Sequence, residues 1–200
     1  MPSDARPMRA DAIRNRAKIL DAARSQIGLH GPDVSMEAIS SAAGVAVGTL
    51  YRHFPTKIDL VAAVLSEYTE QMIAGAHRAL ARAQDAELTP LQALAGFLVE
   101  VFRVTAQNAA AKAAAPALGA SINIDESEAA KALEDLIALG IASGEVRPDL
   151  TVADVYLLVA STPSGASQRD TERWSELVLP SITAAAAAMS LPREAPPATA

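Results

Sequence analysis

Gly48, Thr49, Tyr51, Arg52 and His53 crowd into one short stretch, and Lys57 follows closely. Every side chain in that set, Gly48 having none, can donate to phosphate or to a base edge. Arg52 can give two parallel hydrogen bonds to guanine or grip a phosphate. Thr49 can bond phosphate or touch a thymine methyl group. Tyr51 and His53 can donate to backbone oxygens, and Lys57 can reach phosphate as a point charge. Gly48 lets main chain come close to a duplex. Any surface helix can carry Arg, Tyr and His, and Tyr51 could instead pack against the helix that follows. The chemistry therefore depends on which face these residues occupy.

The segment reads SMEAISSAAGVAVGTLYRHFPTK from Ser35 to Lys57. Its spacing predicts two short helices, Met36 to about Ala43 and about Ala46 to His53, joined by a tight turn. Successive helical residues advance by about 100°. With Leu50 facing inward, Gly48 and Arg52 point away from the core, Thr49 and Tyr51 flank them, and Phe54 returns beside Leu50. Ile39, Ala42, Val45 and Leu50 are the residues expected to lock the two helices together. Gly44 stands at the sharp turn, where positive φ costs glycine little. Ser35 caps the first helix. The amides at Ser35 and Met36 lie at its positive dipole end, which favours phosphate. This is a helix-turn-helix, a sequence-specific DNA reader when its second helix is exposed.

The rest of the chain must hold that reader. Apolar spacing is helical throughout. Ile13, Ala17, Leu20, Ala23 and Ile27 form one stripe, stopped by Gly28 and Gly31-Pro32. Thr56 with Asp59, Thr89 with Gln92 and Thr151 with Asp154 form capping boxes that start three later helices. Pro90 sits at a first helical position. Pro116 and Gly119 break the chain after an Ala-rich segment. Asp125 and Glu128 open another helix, which ends near Ser143-Gly144. Val155 to Val159 could pass for a buried strand, but the box before it favours helix. Pro163-Ser164-Gly165 ends that helix. A last helix runs from about Thr171 to Ser190, and Pro180 should kink or divide it. The expectation is an all-α chain of about nine helices and no sheet. A helix-turn-helix domain covers residues 10–56 and a ligand-binding and dimerisation domain 57–190, with flexible tails at 1–9 and 191–200.

Composition narrows the function classes. The chain has 200 residues, no Cys and a net charge of −6. Without Cys there are no disulfides and no thiolate metal sites. No apolar run reaches the length of a membrane span and no signal peptide is evident, so a soluble cytoplasmic protein is expected. The negative charge argues against nucleic acid only on average. Residues 1–60 carry eight Lys/Arg against six Asp/Glu, and the remainder nine against seventeen. A mildly basic head on an acidic body suits a protein that meets phosphate with one end. Arg9, Arg14 and Arg16 could add phosphate contacts. His30 reads as a loop histidine and His77 as a solvated one. Glu67, Glu70 and His77 do not share a tight face, so no metal site is expected. The chain offers no phosphate-cradling glycine loop and no nucleophile with a base, which argues against an enzyme. No cofactor is required.

The stretch ILDAARSQIGLHGPDVSMEAISSAAGVAVGTLYRHFPTKIDLVAAVL resembles the DNA-binding domain of tetracycline-repressor (TetR) family transcriptional regulators. The likeness is carried by Ile-Leu-x-Ala-Ala, Ala-Gly-Val, Gly-Thr-Leu-Tyr-x-His-Phe and Lys-x-x-Leu, over about residues 12–65. Gly-Glu-Val-Arg-Pro-Asp-Leu-Thr at 144–151 looks like a linker common before that family's penultimate helix.

The resemblance implies a homodimer that binds double-stranded operator DNA through its first three helices. A fourth helix would join these to a core that senses a small-molecule effector. It makes Ser35, Met36, Val47, Gly48, Thr49, Tyr51, Arg52, His53 and Lys57 the candidate DNA-contacting residues. It also implies pairing of the last two helices, about Val152–Ser161 and Thr171–Ser190. Val155, Leu158 and Val159, then Trp174, Leu177, Val178 and Ile182, are more apolar than one face of a monomer needs. An ordinary core helix remains the alternative for them. Tyr68, Met72, Phe97, Val101 and Leu136 lie on plausible inward faces as pocket candidates, although any core has such residues. Few aromatics and few inward charges hint at an apolar ligand.

Two positions depart from the family pattern. Ala46 stands where Ser or Thr often caps the recognition helix, and Val47 where a polar residue is common. They put the operator sequence in doubt, not the fold. A repressor released by an effector is the leading reading. A constitutive regulator, or an activator without effector, is the alternative.

Overall fold

The computed structural model describes residues 5–116, 127–163 and 167–187. The expectations for residues 1–4 of the tail at 1–9, for the tail at 191–200, for Gly119, Asp125 and Ser164-Gly165, and for a helix end at Ser190 lie outside the described residues. Residues 5–9 of the expected tail are corrected, since the first helix already begins at Ala5.

Short side chains set the helix ends. α1 spans Ala5–His30 and stops at a 3-10 turn, Gly31–Asp33, which Gly31 enters with φ of 74°. Ser35 Oγ then accepts from the Ala38 amide at 3.1 Å and starts α2, Met36–Ala43. Gly44 ends α2 with φ of 64°, a left-handed conformation costly for other residues. α3 runs Val47–His53. Three predicted capping boxes are present: Thr56 with Asp59 opens α4, Lys57–Gln84; Thr89 with Gln92 opens α5, Pro90–Ala114; Thr151 with Asp154 opens α7, Val152–Ala160. Between α5 and α7 lies α6, Ser127–Ala142. A fourth box, Ser167 with Asp170, moves the start of α8 back from the expected Thr171, giving Gln168–Val178. Pro180 divides the last segment as expected: α8 gives way to a 3-10 turn, Leu179–Ile182, and then to the short α9, Ala184–Ala187.

The chain is all-helical among the described residues, and Val155 to Val159 is helix. A single isolated antiparallel bridge joins Val146 to Thr183.

The apolar faces collect into two cores. The first packs α1, α2 and α3 through Leu20, Ile27, Ile39 and Leu50, and continues into Leu60, Val61, Val64 and Leu65 of α4. It also takes Ala111, Ala114 and Ala115, from the end of α5 and just beyond it. The second packs α5, α6 and α7 through Leu98, Phe102, Leu136 and Val155, and takes Ala79 from the far half of α4. Packing thus runs on across the Thr56–Lys57 boundary rather than stopping there.

Two local expectations are corrected. Ile13 is 67% exposed and Ala17 is exposed too, because the part of α1 that enters the first core begins only at Ile19 and Leu20. Ala42 is exposed, and Ala43 takes its place in the first core beside the αL turn.

The 144–151 segment is a clasp. Gly144 takes φ of 74°, Arg147 N–H donates to Ile182 O at 3.0 Å, and Ala184 N–H donates to Glu145 O at 2.9 Å. The Arg147 guanidinium holds Asp149 and donates to Ser181 O at 3.1 Å. Glu145 Oε2 accepts from the Leu91 amide at 3.2 Å, which fastens the clasp to the start of α5.

The clasp closes over Gly140. A Cβ built there would stand 2.4 Å from Val146 Cγ2 and 3.0 Å from Val146 Cβ. Gly140→Ala should therefore cost about 1–3 kcal/mol in urea denaturation through overpacking; stability equal to the parent would refute the close approach. Asp154 supplies a pH-dependent term. Hydrogen bonds from the Thr151 hydroxyl and amide hold its carboxyl below the usual aspartate range. A lowered folded pKa means stability that is present above the unfolded value and lost as pH falls through the folded one. Asp154→Asn should remove that part of the acid dependence, read as thermal midpoint against pH; an unchanged acid limb would count against it.

Candidate nucleic-acid interface and internal cavity

α3 is locked on one side and open on the other. Leu50 is fully buried and Phe54 nearly so, with the Phe54 amide closing the helix end on Leu50 O at 2.8 Å. Arg16 lies over the Phe54 ring, 5.7 Å from its centroid. Val47, Gly48, Tyr51 and Arg52 are exposed, and Thr49 and His53 half-buried. Arg52 has no ion pair or hydrogen bond among the described residues, so its guanidinium donors are open to solvent. The Tyr51 hydroxyl donates to Glu37 Oε1 at 3.4 Å, which steadies the ring across the face between α3 and α2. Ala46 offers no side-chain cap, as its type requires.

Three other candidates sit differently from their sequence reading. Met36 is buried in the first core at 7% exposure, so its side chain offers no contact surface. Ser35 is exposed, but its hydroxyl is engaged by the Ala38 amide. Lys57 is a strut more than a free charge: its ammonium donates to Pro32 O and Val34 O. It ties the first turn of α4 to the segment that introduces α2. Of the extra arginines, Arg14 pairs with Asp11 and Arg16 covers Phe54, while the Arg9 side chain lies outside the described residues. Arg24 bridges Asp21 and Glu67 at 2.7 and 2.6 Å, joining α1 to α4. That engagement occupies Glu67, and His77 lies 3.3 Å from Glu128. Among the described residues no three potential ligands gather as a metal site.

A cavity of about 380 Å³ opens between α4, α5, α6 and α7. Tyr68, Met72, Phe97 and Val101 line it, four of the five pocket candidates. Leu136 is corrected: it is fully buried in the second core and forms no part of the wall. Helix periodicity brought it inward, but Leu133, one turn earlier, and Ala129 are the α6 residues that reach the space. Lys112 and Tyr156 also line the cavity and were missed. Lys112 lay in a stretch read as Ala-rich and polar, and only the continuation of α5 to Ala114 carries it onto the wall.

The last two helices hold the remaining candidates. Val155 and Ile182 are corrected as contact residues, since they are 2% and 0% exposed inside the second core. Leu158, Val159, Trp174 and Val178 pack half-buried against the same core. Leu177 stands out at 60% exposure, and Leu157, which sequence reasoning passed over, at 65%. Among the described residues no helix is long and apolar enough to cross a membrane.

Comparison with known proteins matches these features. Residues 19–64 match the model of bacterial regulatory proteins of the tetR family. The HTH-type transcriptional repressor KstR of Mycobacterium tuberculosis is 31% identical over 186 residues, covering 85% of this chain and 81% of that protein. Among solved structures, a TetR transcription regulatory protein from Mycobacterium vanbaalenii superposes with a TM-score of 0.68 at 31% identity, over 88% of this chain and 99% of that one. A TetR transcriptional regulator from Streptomyces coelicolor gives 0.66 at 31% identity, over 84% and 98%. The chain belongs to the TetR family of bacterial transcriptional regulators, DNA-binding helix-turn-helix proteins and not enzymes.

Proposed function

We propose that this chain is a homodimeric repressor that binds a palindromic operator and is released when a small molecule fills the cavity. The observation that carries the reading is the outward face of α3. Leu50 fixes the helix from behind, and Arg52 is left without a partner among the described residues. Repression is favoured over activation by the similarity to KstR, which is itself named a repressor. Thr49, Tyr51, Arg52 and His53 meet DNA, with Gly48 allowing close approach and Val47 offering a methyl contact for thymine. Ser35 and Met36 contribute main-chain amides at the start of α2. Lys57 acts chiefly by holding α2 in place. The operator is met in the cytoplasm.

Exposed Leu157 and Leu177 support pairing of α7 and α8 with a second copy, because large exposed apolar groups gain by burial. Leu158, Val159, Trp174 and Val178 would flank that contact. Two heads on one two-fold axis require half-sites about one helical turn, or a multiple of it, apart. A ligand can release DNA only by binding one head separation better than the other.

Arg52→Ala should weaken operator binding by about 1–3 kcal/mol and relax base preference at one position per half-site. A gel-shift titration with unchanged affinity and specificity would sink the assignment of α3. Operator affinity should fall steeply with salt, read as log K against log salt concentration; a flat plot would argue against phosphate contacts. Leu157→Glu combined with Leu177→Glu should turn a dimer into a monomer by light scattering. A parent protein that is already monomeric at micromolar concentration would overturn the pairing.

A further inference from the structure

The cavity wall is apolar except at a few points, and those points are not equivalent. The Tyr68 hydroxyl is committed to Thr105 Oγ1 at 3.1 Å, and the Thr69 hydroxyl donates to Leu65 O at 3.1 Å. Lys112 is the one charged residue among those that line the space. Its ammonium lies 5.2 Å from the centre of the Tyr68 ring, so the aromatic face holds the cation against the cavity. No carboxylate pairs with it among the described residues. A ring face offers no lone pair, so the N–H donors of Lys112 still need acceptors.

We propose that the cavity takes an amphipathic anion, a molecule with a hydrocarbon body and one carboxylate or similar end seated on Lys112. The proposal rests on the reading of this cavity as a ligand site. Met72, Ile73, Phe97, Val101, Leu133 and Val159 supply the surface for the hydrocarbon. The volume, about 380 Å³, falls in the range that holds small organic ligands. A neutral ligand closing the cavity would strip water from the ammonium and return at most an uncharged acceptor for it. An anion replaces that water with a charge-assisted hydrogen bond. A cationic ligand meets like charge and is rejected. A plainer role exists for Lys112, since a cation near a helix C-terminus favours the helix dipole. That role predicts no preference among ligands, so ligand charge separates the two.

The test uses the full chain, with decanoate, decanol and decylammonium as probes of equal body and different ends, each below its micellar concentration. In titration calorimetry decanoate should bind about tenfold or more tighter than decanol, and decylammonium weakest. Lys112→Met should remove the advantage of decanoate and leave decanol unchanged; Lys112→Arg should keep most of it. Should Lys112→Met fail to fold, Lys112→Gln carries the same comparison. Decanol binding as tightly as decanoate to the parent chain, or decanoate affinity surviving in Lys112→Met, would overturn the anionic class and leave the cavity as an apolar ligand site. If none of the three binds the parent chain, the cavity reading falls along with it.

Discussion

Leu60, Val61, Val64 and Leu65 pack into the core of the head, while Tyr68 and Met72, one and two turns farther on, face the cavity. They stand on a single helix of 28 residues, about 42 Å long at 1.5 Å per residue. α5 returns alongside it, from Phe102 in the second core to Ala111 and Ala114 in the first. Both cores are therefore incomplete without the same two helices. The head cannot tilt against the body unless those helices move, and they cannot move without disturbing a packed core at each end. Close-packed interiors resist small continuous deformation and shift between discrete arrangements instead. On the proposed function, that constraint would carry a binding event beside Tyr68 to α3.

Polar fastenings refine the same connection. Lys57 clasps the carbonyls that precede α2, and Arg24 ties α1 to α4 through Glu67. Each spans the joint between α4 and the head. The part-buried Arg24–Glu67 pair and the Lys57 clasp both work on geometry more than on stability: paired ions at partly solvated sites contribute little net energy, yet they fix relative positions. The four capping boxes do comparable work at the helix starts, where each returns two amides to a hydrogen bond.

Much of this was legible in the sequence, and the reasons are specific. Ser35, Gly44, Thr56, Thr89 and Thr151 announce helix ends because local chemistry alone decides them. The face of α3 could be read from Leu50 and Phe54, since a helix of two turns has only one way to bury both. Periodicity failed where it had to say which neighbour covers a face. Ile13 and Ala17 continue the stripe of α1 beyond the part that enters the first core. Val155 and Ile182 have the apolar character of a contact surface, and the protomer itself buries them. Ser167 was passed over because its partner Asp170 lay in a polar run with no apolar pattern to mark a helix. Lys112 stayed hidden among alanines, whose burial depends wholly on what approaches them.

The end of α5 serves two masters, and this limits how the protein can change over generations. Ala111 and Ala114 touch the first core on one side, while Lys112 between them faces the cavity on the other. A larger residue at either alanine would be felt in the head, whatever it did for the cavity. The opposite wall, made by Ala129 and Leu133 of α6 and by Tyr156, Val159 and Ala160 of α7, has no such double duty toward the head. Divergence in the shape of the cavity can therefore accumulate on α6 and α7 while the end of α5 around Lys112 stays nearly fixed. Relatives that share this head are free to differ there first.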